Sequence, residues 1–260
     1  MTVKAKKHLG QHFLTDLSIC KRITDQYQKH QDCKRVLEIG PGMGALTNFL
    51  LSRGDLDIHV MEIDKESVDY LSENKKELNG KIYPADFLKV KLEDIMGTAP
   101  FGVVGNFPYN ISSQILFKCI DYRNQIPEIM GMFQKEVAVR VAEKPGSKAY
   151  GIISVLLQTY YDIEYCFTVD EHVFDPPPKV KSGVIRCVRN ERKSLPCDEK
   201  LYKQVIKATF GMRRKTIRNG VKQWIKGKNI DHPLFDLRPE RLSVEDFITL
   251  TQIVEKAIKA

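Results

Sequence analysis

Arg35-Val-Leu-Glu-Ile-Gly-Pro-Gly-Met-Gly-Ala-Leu-Thr-Asn-Phe-Leu-Leu51 decides the fold. Residues 35–39 read as a short buried strand, Gly40, Gly42 and Gly44 as a turn, and residues 45–51 as the start of a helix. Strand, glycine turn and helix together cradle the negative end of a ligand. The glycines let the backbone come close, and the helix N-terminus carries partial positive charge. The next strand, residues 58–63, brings Glu62 to its tip. A carboxylate about 20 residues after such a turn takes the two hydroxyls of a ribose. The spacing is G-x-G-x-G, not G-x-G-x-x-G. It leans away from a dinucleotide and towards S-adenosylmethionine.

Working outward, a helix over 65–78 and a strand over 81–85 follow, with Asp86 at the strand's carboxyl edge and Phe87 behind it. Asp86 can accept the adenine N6–H of the cofactor there, and Phe87 can pack on its ring. Standing alone, Asp86 would read as a cap or loop residue. The apolar run Phe101-Gly-Val-Val-Gly105 is a fourth strand, and it ends on Asn106-Phe107-Pro108-Tyr109. Ligands of open α/β sheets bind at that edge. The Asn106 side-chain carbonyl can accept one N–H of an exocyclic amine, and the Phe107 backbone carbonyl a second. Two acceptors on one amino group favour a pyramidal, nucleophilic nitrogen. Pro108 stiffens the turn, and Tyr109 offers a flat face to a base. An isolated Asn-x-Pro-Tyr reads as readily as a strand ending in a turn. Glu62, Asp86 and Asn106 on three successive strand tips favour a site.

Upstream, residues 1–14 form a basic arm, and residues 16–29 a helix capped by Thr15 or Asp16. His12, taken alone, reads as a surface or structural histidine. Downstream, residues 112–120 are helical, 128–134 a strand and 135–143 helical again. Residues 151–161 fit helix or strand equally. Residues 164–169 and 181–189 read as a closing antiparallel pair. Between them Phe174-Asp-Pro-Pro-Pro-Lys179 is stiff and extended. It either holds Phe174 over the pocket as a second stacking face or serves as a rigid connector.

The character changes after Glu191. Residues 201–228 hold nine Lys or Arg and no Asp or Glu, against a net charge of +8 for the whole chain. Ile217, Val221, Trp224 and Ile225 fall on one helical face, and Arg214, Arg218, Lys222 and Lys226 on another. A solvated face would mix signs, so one sign throughout argues for phosphate contacts. The pattern predicts an α/β domain over 1–192, with a Rossmann-like, mostly parallel sheet and an antiparallel closing strand. A small all-helical, basic domain spans 193–260, with a last helix near 244–258.

Other classes are disfavoured. The six cysteines form no C-x-x-C pair and have no His at ligand spacing, which predicts reduced thiols, no metal and a cytoplasmic protein. No run approaches the ~18 apolar residues of a membrane span. The start lacks the apolar stretch of a secretory signal.

Gly10-Gln-His-Phe-Leu14, Glu38-Ile-Gly-Pro-Gly-Met-Gly44, Glu62-Ile-Asp64, Asn106-Phe-Pro-Tyr109, Gln134-Lys-Glu-Val137, Phe174-Asp-Pro-Pro-Pro-Lys-Val180, and Phe210 with Arg213-Arg-Lys-Thr-Ile-Arg-Asn219 together resemble the KsgA/RsmA ribosomal RNA adenine dimethyltransferases. The resemblance covers nearly the whole chain. It implies a class I methyltransferase sheet, S-adenosylmethionine as cofactor, and two adjacent adenosines near the 3′ end of small-subunit ribosomal RNA as substrate. Each would receive two methyl groups on N6, on an assembling small subunit, by a monomeric enzyme without metal or membrane. It implies further that Asn106, Phe107, Pro108 and Tyr109 carry the chemistry. His12, Leu14, Gly40, Gly42, Gly44, Glu62, Asp86 and Phe87 would bind the cofactor together with Asn106. Phe174, Arg213, Arg214, Lys215, Arg218 and Lys222 would meet RNA. The chain departs from the family where His12 replaces the usual Asn and Phe107 a common aliphatic residue. Three rivals remain: a large-subunit adenine methylase of the macrolide-resistance type, a non-catalytic ribosome assembly factor on the same scaffold, and a nicotinamide oxidoreductase. Glycine spacing and the lack of a hydride-transfer acid–base pair disfavour the last.

Overall fold

The computed structural model describes residues 3–259; the first two residues of the basic arm and the last of the helical tail lie outside them. The arm makes a 3-10 turn (Lys7–Leu9) and the short strand β1 (Phe13–Leu14). Helix α1 (Leu17–Gln26) follows, and Asp16 is its cap, accepting the Ser18 N–H at 2.9 Å. Strands and helices then alternate: β2 (Arg35–Ile39), α2 (Ala45–Ser52), β3 (Asp57–Glu62), α3 (Lys65–Asn74), β4 (Ile82–Pro84), α4 (Leu92–Met96), β5 (Gly102–Asn106), α5 (Ser112–Asp121) and β6 (Glu128–Gln134). The chain continues through α6 (Lys135–Ala142), α7 (Ile152–Gln158), β7 (Tyr161–Val169), β8 (Phe174–Asp175) and β9 (Ser182–Arg189). It ends in α8 (Glu199–Gly211), α9 (Ile217–Ile225) and α10 (Val244–Lys259).

Seven strands form one sheet in the order β4-β3-β2-β5-β6-β9-β7. The five from β4 to β6 are mutually parallel, and β9 runs antiparallel to β6, with Glu128 opposite Val188 and Gln134 opposite Ser182. This is the mostly parallel sheet with antiparallel closure that the sequence predicts. The central strands are near-continuous apolar runs because helices cover both faces of such a sheet; Val36, Leu37, Val103, Val104, Ile129 and Met130 are fully buried. Strand order reverses at β2, whose neighbours β3 and β5 lie on opposite sides. A crevice opens at the carboxyl ends where such a reversal occurs.

The proline segment is less uniform than its sequence suggests. Its first two residues are β8, which pairs antiparallel with β1 so that Leu14 faces Phe174 and Phe13 faces Asp175. The Thr15 N–H extends the ladder to the Val173 carbonyl at 2.8 Å. The ambiguous stretch 151–161 resolves into α7 and the start of β7.

The chain divides into two compact units. Residues up to Val139 and Asp162–Arg189 make the sheet unit; Arg140–Tyr161 joins the residues from Asn190 onward. The sequence placed the boundary at 192/193 and did not assign Arg140–Tyr161 to the helical part. The reason is packing. Helix α7 buries Ile153, Val155, Leu156 and Leu157, Tyr150 lies 6.3 Å from the Phe210 ring, and the Thr159 and Tyr202 hydroxyls meet at 2.8 Å. Phe210 in turn stacks on Phe247 at 5.8 Å. Ile217, Val221 and Ile225 supply the buried face of α9, with Trp224 half-buried beside them.

Candidate active site

Gly40, Gly42 and Gly44 all have positive φ, +67°, +55° and +81°, a region that L side chains enter only with strain. Gly42 has a second reason to lack a side chain, since a Cβ there would lie 2.8 Å from the Phe13 ring. The arm therefore packs directly on the turn. The Gly42 N–H donates to the Glu62 carboxylate at 3.1 Å, and the other carboxylate oxygen accepts from the Ile63 and Asp64 N–H groups at 2.8 and 2.9 Å. Three backbone donors thus fix Glu62, which is only 4% exposed. Burial raises its carboxyl above the ordinary range, and the same three donors oppose the shift.

Ile63 is 54% exposed and borders the cavity beside Glu62. Sequence reasoning gave it no role, although an apolar residue directly after a tip carboxylate is a visible signal. Glu38 went unassigned as well. It is buried beside the same cavity and accepts the Thr47 hydroxyl at 2.6 Å. Burial pushes its carboxyl up to about 8; the Thr47 bond opposes the shift, and the charge of Glu62 adds to it.

Asp86 follows β4 and accepts the Leu88 N–H at 2.9 Å. Phe87 is buried at the cavity wall, and the Lys118 ammonium of α5 lies 5.1 Å from its ring centre. Lys118 also donates to the carbonyls of Phe87 and Val90, which pins the Asp86 loop. Burial lowers the Lys118 pKa from its ordinary value. No local pattern marks this lysine; its partners lie about thirty residues upstream.

Asn106 ends β5, and its Nδ2 donates to the His12 carbonyl at 3.0 Å. With Nδ2 committed, the remaining hydrogen-bonding atom of the amide is Oδ1. The Phe107 ring is 1% exposed, 4.9 Å from Phe133. It fills the space over two glycines: a Cβ on Gly131 would come within 2.1 Å of it, and one on Gly105 within 2.8 Å. Its bulk therefore belongs to the core. The Tyr109 hydroxyl is bonded to Ser182 Oγ, and its ring lies 5.3 Å from the His12 imidazole, tilted by 33°. His12 Nδ1 lies 2.7 Å from the Pro176 carbonyl.

One cavity of about 230 Å³ gathers these groups at the sheet's carboxyl edge. It is bordered by His12, Leu14, Gly40, Gly42, Glu62, Asp86, Phe87 and all four residues 106–109. Gly44 does not border it; it is the N-cap of α2 and accepts the Asn48 N–H through its carbonyl. Phe174 does not border it either. The pairing of β8 with β1 turns its ring into the core with Leu14, Ile19 and Ile23, and leaves it 3% exposed. In this geometry the Phe174 ring is a core side chain rather than a face over the cavity, which is the correction to its expected place.

The basic residues of the helical unit divide into two groups. The Arg213 guanidinium donates to the Lys148 and Ser147 carbonyls at 2.7 and 3.3 Å. Arg218 pairs with Asp231 at 2.8 Å and Asp236 at 3.3 Å. Arg214, Lys215 and Lys222 are exposed and have no ion pair among the described residues. The expected row of four cations also shortens, because Arg214 precedes α9 and Lys226 follows it.

Comparison with known proteins adds independent weight. The chain is 56% identical over 253 residues to the ribosomal RNA small subunit methyltransferase A of Cytophaga hutchinsonii, covering 97% of this chain and 98% of that one. It is 56% identical over 255 residues to the protein of the same name from Flavobacterium johnsoniae, covering 97% of each. Among solved structures, a dimethyladenosine transferase from Plasmodium falciparum shares the fold with a TM-score of 0.75 at 23% identity, over 95% of this chain and 98% of that one. The 23S rRNA methyltransferase ErmE shares it with a TM-score of 0.63 at 24% identity, over 92% and 99%. The profile of ribosomal RNA adenine dimethylases matches residues 2–256, and the chain belongs to that family.

Proposed function

We propose that this chain dimethylates N6 of two adjacent adenosines in a loop near the 3′ end of small-subunit ribosomal RNA, with S-adenosylmethionine as methyl donor. The observation that carries the reading is the Asn106 amide, whose nitrogen is tied to His12 and whose oxygen is left as an acceptor on a cavity-lining residue. The description of its family, ribosomal RNA adenine dimethylases, agrees with an amine-directed acceptor.

The cavity residues fit the donor. Glu62 Oε2 takes only one backbone donor and keeps capacity for a ribose hydroxyl. Asp86 borders the same cavity as the apolar Ile63 and Leu88 and would read the adenine amine. The glycine turn offers open backbone to the amino-acid end. When bound, the cofactor supplies a sulfonium methyl already activated for in-line displacement.

The rest is positioning by the protein. The target adenine must leave its stack, which costs a few kcal/mol and least in a loop. Stacking on an aromatic ring returns ~1–3 kcal/mol per base. Tyr109 is suited to this because its hydroxyl is already held by Ser182, so its ring loses little freedom on binding. Asn106 Oδ1 and the Phe107 carbonyl accept the two amine hydrogens and steer the nitrogen lone pair. The proton lost after transfer is acidic, so no strong base is needed. Arg214, Lys215 and Lys222 meet phosphates. The enzyme acts as a monomer on the small-subunit precursor in the cytoplasm. Mass mapping of methylated adenosines, after incubation of labelled cofactor with unmodified small subunits and, in parallel, with free large-subunit RNA, tests the reading. Two adjacent dimethylated adenosines are expected; label found only in large-subunit RNA overturns it.

A further inference from the structure

We propose that His12 is a positioning residue for the acceptor amide, holding Asn106 through its own carbonyl while its imidazole is tethered to the Pro176 carbonyl. The inference rests on the reading of Asn106 as acceptor.

An asparagine amide turns in a broad, two-fold well about χ2, so its oxygen and nitrogen exchange places at little intrinsic cost. A neighbour has to choose between them. Here the neighbour is the His12 carbonyl, which can only accept, so Nδ2 must face it at 3.0 Å and Oδ1 takes the other branch. That choice is only as firm as residue 12 itself. The arm around it is a 3-10 turn and the two-residue strand β1, whose short ladder with β8 begins at Phe13, one residue beyond. Lys6 anchors the arm's start to Asp64 and Glu66, and Phe13 packs on Gly42. The anchor at residue 12 is its side chain: Nδ1 meets the Pro176 carbonyl at 2.7 Å. Since that oxygen also only accepts, Nδ1 carries the hydrogen. The same imidazole lies 5.3 Å from the Tyr109 ring. One residue thus touches the amide that would grip the amine and the ring that would stack the base.

The tether has a chemical signature. It needs a donor one bond beyond Cγ. The amide nitrogen of asparagine occupies that place, whereas the amide nitrogen of glutamine lies one bond further out, where the histidine Nε2 is. If the tether is the function, His12→Asn retains it, and His12→Gln and His12→Ala do not. If Nε2 is the working atom, for instance against the cofactor, the order reverses.

The test uses the full chain, unmodified small subunits and saturating S-adenosylmethionine in single-turnover methylation. Cofactor affinity is measured separately by equilibrium binding. His12→Ala and His12→Gln are expected to slow transfer by about tenfold to a hundredfold with little change in cofactor affinity. His12→Asn should recover most of that loss. A second readout, independent of turnover, is the Asn106 side-chain amide resonance in the ligand-free protein, identified by its loss in Asn106→Ala. It should shift or broaden in the Ala and Gln variants and return in the Asn variant. The proposal is overturned if Gln rescues and Asn does not, if the loss lies wholly in cofactor affinity, or if the Asn106 resonance is unmoved in His12→Ala. Failure of the underlying reading is distinct: wild-type protein would then methylate no adenosine, or Asn106→Ala would remain active.

Discussion

Replacing Asn106 by alanine isolates the acceptor from the scaffold. The side chain is half-buried at the end of β5 and, among the described residues, makes one hydrogen bond, to the His12 carbonyl. Losing that bond costs about 1–3 kcal/mol of stability if the carbonyl stays dry, and less if water reaches it. Most of the 5–15 kcal/mol typical of a folded domain should survive. Transfer should suffer far more. Removing one preorganised polar group from a reacting centre typically costs 10²–10³ in rate, about 2.7–4 kcal/mol. Single-turnover methylation of unmodified small subunits at saturating cofactor should therefore fall at least ~100-fold, while equilibrium cofactor binding persists. Asn106→Asp sharpens the result. It keeps an acceptor but sets an oxygen against the His12 carbonyl where a donor stood at 3.0 Å. It should fail too, because orientation is lost. Full methylation by the alanine variant, or activity in the aspartate variant equal to wild type, would refute the reasoning.

Gly131→Ala should destabilise by about 1–3 kcal/mol, since its Cβ would fall 2.1 Å from the Phe107 ring. Adding Phe107→Leu should relieve part of that in denaturant melts, and no relief would show that the clash is not the cause. Glu38 titrates near 8 in the folded protein against an ordinary 4.5. The folded state therefore keeps a proton that the unfolded chain gives up, and stability is fully present below about 4.5 and falls as pH rises through about 8. Glu38→Gln should flatten that decline in unfolding measured at several pH values; an unchanged slope would exclude Glu38 as its source. Alanine at Arg214 and Lys215 should lower RNA affinity and reduce its salt dependence by ~0.7–0.9 log units per lost phosphate contact. Phe174→Ala should cost about 3–5 kcal/mol of stability, as a core truncation does. Normal stability with reduced RNA binding would restore a stacking role.

The sheet was legible because its signals are local. A buried strand, three glycines and a helix lie within seventeen residues, and Glu62 sits at the length set by one βαβ crossover. Parallel strands in such units end on the same side, so tips read one by one could be placed on a common edge. Residues whose place depends on distant pairing were harder to read. Phe174 looks like an exposed aromatic before a proline run, and only the ladder with β1, about 160 residues earlier, turns it inward. Arg218 looks like a member of one cationic face, and the family resemblance gives Arg213 an RNA contact. The carbonyls of Ser147 and Lys148 and the carboxylates of Asp231 and Asp236 lie in other segments, and they occupy the two arginines. Segment 151–161 was undecided because its apolar run suits either period.

The same distinction separates the two halves of the site. Glu62 takes its orientation from the N–H groups of Ile63 and Asp64, its immediate neighbours, and from Gly42 one crossover away. Once the first βαβ unit forms, that half is complete. Asn106 takes its orientation from His12, 94 residues away, and His12 is held by Pro176, 164 residues from it. The sheet can carry Asn106 to the edge, but it cannot choose which atom of the amide faces the cavity. That choice is made when the arm lies down between the glycine turn and the proline segment. On the proposed reading, the orientation of Glu62 towards the cofactor is a property of the strand tips, whereas the orientation of the acceptor amide depends on a segment that precedes the sheet. The two should separate under mutation: damage to the arm's docking lowers the rate of transfer before it lowers the stability of the fold.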